Sequence, residues 1–129
     1  MKQLILLMMA VVLVGCATAQ RYTGSMYGFG VGVKKNPQKA FKWYQKAADK
    51  GEPTAQSNLG VMYFNSEGVE QNDVTAYVWW DIAATNGDED AKKNKGTIAK
   101  QMTAEQITKA EVLVKEMIKK NPKLIQKQD

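Results

Sequence analysis

Hydrophobic and polar positions divide the chain into an apolar leader and a series of helical patterns. Leu4 to Val14 is an unbroken apolar run of eleven residues behind the single positive charge of Lys2. Such a run is short for a bilayer span and matches the core of a secretory signal. Beyond it, apolar residues recur at spacings of three and four, the period of helices with one buried face. Pro53 suits the first turn of a helix that carries Leu59, Met62 and Tyr63 on one side over Ala55 to Phe64. Asn65-Ser66-Glu67-Gly68 interrupts it. Asn72 is a good N-cap for a second run, Asp73 to Asn86, with Gly87 placed to close it. The same punctuation appears earlier as Gly30, Gly32 and Asn36-Pro37, with Gly51 ending the run.

The two patterns are copies. A shift of 36 positions superimposes Gly24, Met26, Tyr27, Gly32, Val33 and Asn36 on Gly60, Met62, Tyr63, Gly68, Val69 and Asn72. It also superimposes Ala40, Trp43, Ala47, Ala48 and Gly51 on Ala76, Trp79, Ala83, Ala84 and Gly87. A fixed period of this length marks stacked supersecondary units, here a pair of helices each. The second helix of each unit carries one stripe, Ala40, Trp43, Ala47 and Ala48 or its equivalent, in which small residues admit a neighbouring helix. Gly24 and Gly60 fall inside the first helices at a cost of about 1 kcal/mol each relative to alanine. A cost incurred twice at one position predicts close helix contact there.

After Gly87 a third helix opens on Asp88, Glu89 and Asp90, where the helix dipole favours acids, and runs towards Gln101. Thr103 with Gln106 forms a capping-box pattern ahead of a last amphipathic helix bearing Ile107, Ala110, Val114, Met117 and Ile118. Pro122 ends it, and Leu124 to Asp129 reads as a frayed tail. The division is a signal over 1–19, one unit over 20–54, a second over 55–87, a capping helix pair over 88–121 and a tail over 122–129.

The strings Tyr27-x-x-Gly30-x-Gly32-Val33 and Lys39-Ala40-x-x-Trp43-Tyr44-x-Lys46-Ala47-Ala48-x-x-Gly51 resemble the signature of the Sel-one-like (SLR) repeat family. The second copy follows it through Gly60, Tyr63, Gly68, Ala76, Trp79, Ala83 and Gly87, departing at Ser66 for the usual glycine and at Trp80 for the usual tyrosine. The resemblance implies an all-α fold, a short α/α superhelical solenoid related to tetratricopeptide repeats, used as a scaffold, adaptor or regulator in protein complexes. The positions that carry it are structural, and no catalytic motif comes with them. The cysteine-rich branch of the family has paired cysteines, which this chain lacks.

Composition narrows the chemistry. The 129 residues include no histidine and one cysteine, which removes imidazole triads, histidine-type zinc sites and intrachain disulfides. That cysteine, Cys16, ends Leu13-Val14-Gly15-Cys16, a string resembling a bacterial lipobox, and is the expected lipidation site. Ala17-Thr18-Ala19 fits ordinary signal-peptidase cleavage after residue 19, and this alternative stays open. The net charge of +5 hides three bands: seven basic residues against two acids over 19–54, seven acids and no base over 55–91, and ten lysines against four acids over 92–129. A lipidated Cys16 would hold the first basic band near anionic headgroups.

An acidic middle in an exported chain argues against nucleic acid. Asp88-Glu89-Asp90 lacks the alternating ligands of a calcium loop, and pairs such as Glu67 with Glu70 or Asp73 with Asp81 show no feature that sets them apart as a catalytic dyad. Neither a metal nor a cofactor is expected. Trp43 and Trp79 occupy the repeated stripe and are expected in the core. Tyr44, Tyr77 and Trp80 lie off it and are the candidate partner-binding residues. The expected protein is a non-catalytic, exported interaction scaffold of the bacterial envelope, in the periplasm or lipid-anchored, with a partner protein of unknown identity. A secreted effector that binds host or extracellular proteins and a cell-wall-directed enzyme are the alternatives.

Overall fold

The computed structural model describes residues 17–126. Every regular element among them is helical: α1 Ala17–Phe29, α2 Pro37–Asp49, α3 Pro53–Asn65, α4 Asp73–Thr85, α5 Glu89–Ala99 and α6 Ala104–Lys120, followed by a 3₁₀ turn, Pro122–Leu124. Cys16 and the apolar run before it lie outside the described residues. None of the described helices is long and apolar enough to cross a membrane.

Polar caps set where the helices start. Asn36 and Asn72, one period apart, each accept the backbone N–H three residues on, at 3.0 Å in both cases. Glu52 and Asp88 do the same for α3 and α5, at 2.6 and 2.8 Å. Thr103 and Gln106 close the reciprocal capping box of α6. Each cap satisfies an N–H that the helix leaves unpaired.

The helices stack in sequence as antiparallel neighbours, α1 on α2, α2 on α3, α3 on α4 and α4 on α5, while α6 returns to lie on α4. The core follows this order. Ala40, Ala47, Ala48, Ala55, Ala76, Ala83 and Ala91 are all buried, so backbones approach closely, and Leu59, Ile82, Val78 and Ile98 fill the space between. Phe41 and Tyr63 meet edge to face at 5.6 Å across the α2–α3 junction, and Arg21 pairs with Glu52 at 3.3 Å.

Both repeated helix glycines sit against a ring. A Cβ on Gly24 would come within 2.9 Å of the Tyr44 ring, and one on Gly60 would fall on the Trp80 indole. The close contact expected from the cost of these glycines is therefore present, with the aromatic supplied by the second helix of the same unit.

The frayed tail is corrected over its described part. Leu124 is 2% exposed, and its carbonyl accepts from Gln56 Nε2 at 2.9 Å and Asn86 Nδ2 at 2.7 Å. Asn86 Oδ1 accepts the Gln126 N–H at 2.8 Å, and Asn121 Nδ2 donates to the Asp49 carbonyl at 2.8 Å. The physical reason is Gln56, a fully buried amide that must be hydrogen-bonded. Its Nε2 also donates to the Ala48 carbonyl, and its Oε1 accepts from Asn86. Gly51 leaves room for the strap, since a Cβ there would strike the Lys123 carbonyl.

Candidate functional site

The site is a slot between α3 and α5, about 230 Å³ in volume, with Trp80 of α4 at its floor. Val61, Phe64 and Asn65 come from α3, Asn94, Thr97 and Ile98 from α5, and Gln101 from the turn beyond. Gly60 makes the floor: without a side chain there, the indole lies against the α3 backbone and donates from Nε1 to the Ser57 carbonyl at 3.1 Å. With its polar end satisfied, the ring offers an apolar face, braced by Phe64 at 5.8 Å between centroids.

Amides stand around this floor. Asn65 is held by Glu67 at 3.2 Å, whereas the side chains of Asn94 and Gln101 have no hydrogen-bond partner among the described residues. An apolar floor with unpaired amides at its edge suits an extended peptide, whose side chain fills the slot while its backbone meets the amides. On the other side of α4, Lys95 of α5 donates to Asp81 at 2.7 Å, which fixes α5 against α4. That hydrogen bond raises the Lys95 pKa, and burial raises those of Tyr77 and Tyr63.

The sequence-predicted positions divide unevenly. Gly24, Ala40, Ala47, Gly51, Gly60, Ala76, Trp79 and Ala83 are buried as repeat-packing residues, while Tyr27, Tyr63 and Gly68 are half-buried. Gly32 and Gly87 are exposed turn residues with positive φ. Two expectations about aromatics are corrected. Tyr44, Tyr77 and Trp80, the candidate partner-binding residues, are buried, at 5%, 5% and 4% accessible. Trp43, expected in the core, is half-buried and lines an open groove with Tyr27, Phe41 and Lys42, with Lys46 Nζ 4.5 Å from its ring centre. The neighbourhood differs: among the described residues α4 packs on α6 as well as on α3 and α5, whereas α2 packs chiefly on α1 and α3. Of the three nominated aromatics, Trp80 alone lines the slot.

Sequence reasoning misses Phe64, Asn94 and Gln101; an aromatic placed directly before the Asn65-Ser66-Glu67-Gly68 break is the one signal the sequence offers for Phe64. Of the carboxylates weighed as catalytic pairs, Glu67, Asp73 and Asp81 have separate partners, Asn65, Gln71 and Lys95 respectively. Among the described residues no group of three or more acidic or thiol side chains could hold a metal ion.

The Sel1 repeat family model matches residues 17–52 and 53–88, each match one helix pair. Several solved structures are similar, among them the following two. One is c5321, described as a protective antigen present in uropathogenic Escherichia coli strains displaying an SLR fold. It is 34% identical with a TM-score of 0.80, over 92% of this chain and 27% of that one. The other is a Sel1 repeat protein from Oxalobacter formigenes, 41% identical with a TM-score of 0.63, over 64% of this chain and 62% of that one. The chain thus spans about a quarter of the first and under two thirds of the second. Among curated proteins no significant match is found.

Proposed function

The chain belongs to the Sel1 repeat family, and on that premise we propose that it is an exported, non-catalytic scaffold that holds an extended segment of a partner protein in the α3–α5 slot. Sel1 repeat folds are in general protein–protein interaction scaffolds. The observation that carries the proposal is the slot itself, an apolar floor of Trp80 and Phe64 bordered by the amides of Asn94 and Gln101. Buried aromatic floors with polar edges are where partner side chains contribute most to affinity.

Export rests on the apolar run Leu4–Val14 behind Lys2. Cleavage before Cys16 would keep every described residue of α1, whereas cleavage after Ala19 would remove the first three, including Ala17, which packs against the core. This supports the lipobox and a lipid-anchored protein of the envelope. The likeness to a protein described as a protective antigen supports a location outside the cytoplasm.

A photoreactive residue in place of Asn94 or Gln101, in the full chain in cells, tests the slot. A discrete protein adduct is expected, and it should disappear when the surface change Phe64→Ser is added. Absence of an adduct at both positions, or one indifferent to Phe64→Ser, overturns the proposal.

A further inference from the structure

The loop between α1 and α2 and the loop between α3 and α4 have the same backbone. Gly30 and Ser66 both take positive φ, 71° and 57°, as do Gly32 and Gly68, both 73°. Val31 and Glu67 donate to the Met26 and Met62 carbonyls at 3.0 Å, and Asn36 and Asn72 to the Tyr27 and Tyr63 carbonyls at 2.8 and 3.0 Å. The surfaces are opposite in kind. Where the second loop carries Asn65, Glu67, Glu70 and Gln71, the first carries Phe29, Val31, Lys34 and Lys35. Since the backbone is shared, folding does not require the apolar and cationic residues of the first loop.

Those residues are also the most open apolar surface described. Phe29 is 78% exposed, Val31 62%, Tyr22 59% and Met26 41%, so four of the six exposed large hydrophobic residues fall within ten positions. Stacking of another repeat does not account for Phe29 and Val31. Phe29 and Val31 correspond to Asn65 and Glu67, which stay exposed although the first unit already stacks on the second. Met26, whose counterpart Met62 is buried, and in part Tyr22, whose counterpart Asn58 is half-buried, would be covered that way. A second copy meeting this face with its own would bring lysines against lysines. An apolar tip flanked by exposed Lys34, Lys35, Lys39 and Lys42 instead complements a surface that is apolar beneath a layer of fixed anions.

We propose that the α1–α2 loop is a membrane-docking surface that seats Phe29 and Val31 in the interface of an anionic bilayer, with Lys34 and Lys35 on headgroup phosphates. The proposal does not depend on the partner slot or on the fate of Cys16. Its test uses the full chain with Cys16→Ser and an environment-sensitive dye at Val31→Cys or, for comparison, at Glu67→Cys.

With phosphatidylglycerol-containing vesicles carrying a quencher in the acyl region, the dye at position 31 is quenched and the dye at 67 is not, even if the leader itself holds the chain to the vesicle. Lys34→Gln with Lys35→Gln weakens that quenching at least tenfold in lipid concentration, from about fivefold per lysine near an anionic surface. Equal quenching at 31 and 67, no quenching at 31, or quenching indifferent to the lysines overturns it. So does a dye signal at 31 that grows with protein concentration in the absence of vesicles, which would mean a second copy covers the face.

Discussion

The two repeats share a backbone and differ in what their neighbours do to it. In the first unit Tyr44 packs on Gly24 and its hydroxyl is 3.1 Å from that of Ser25, while Trp43 lies half open. In the second, Trp80 packs on Gly60, Trp79 is sealed, and the space between α3 and α5 remains as a slot. The tyrosine spends its polar end on its own unit. The indole spends its N–H on a helix carbonyl and leaves its apolar face at the slot floor. Position in the stack therefore decides which aromatic is structural and which is available, on helices that are otherwise alike.

The largest expected effect is on the glycine beneath the indole. Gly60→Ala must displace Trp80, held between two helices, and should cost about 3 kcal/mol, whereas Gly24→Ala meets the edge of a ring at the end of the stack and should cost about 1 kcal/mol after the gain in helix propensity. Urea unfolding of both variants measures the difference, and equal losses would break the comparison. Next comes the strap. Asn86→Ala leaves the Gln56 oxygen without its partner and frees one contact to Leu124, for about 2 kcal/mol, and exposes the chain after Lys123 to trypsin.

The caps of the two repeats should behave alike. Asn36→Ala and Asn72→Ala should each cost about 1 kcal/mol and agree closely, because their geometry is the same. The smallest effect is the Lys95–Asp81 pair, about 0.5 kcal/mol for a partly exposed contact. Folding raises the Lys95 pKa, so this contribution is complete below 10.5, the ordinary lysine value, and fades as pH climbs through the higher folded value. Asp81→Asn should remove that part of the alkaline loss, as read from thermal unfolding between neutral and alkaline pH.

The sequence carries the local devices openly. The caps Asn36, Asn72 and Thr103 with Gln106, the loop glycines and the helix glycines are visible because each answers to the few residues around it. Features set by distant neighbours are not. Trp43 and Tyr44 are adjacent positions pointing about 100° apart on a helix, and which of them is covered is set by neighbours distant in sequence: Tyr44 packs on Gly24 of α1, while Trp43 stays half-buried. Gln56 gives no sign that its amide is buried, and the strap that satisfies it arrives 68 residues later. The slot is half legible: the sequence marks Trp80 as a candidate partner-binding residue, but its place at the slot floor, nearly buried, depends on helices distant in sequence.

The most direct measurement places the same photoreactive residue at Asn94 and at Asn58, one period earlier, where the first unit presents Tyr44 and Ser25 in place of Trp80 and Val61. In cells, a protein adduct of one mass at 94 and none at 58 is the predicted outcome. Equal labelling at the two positions, or none at 94, would contradict the account that neighbouring helices turn a shared repeat into one binding slot.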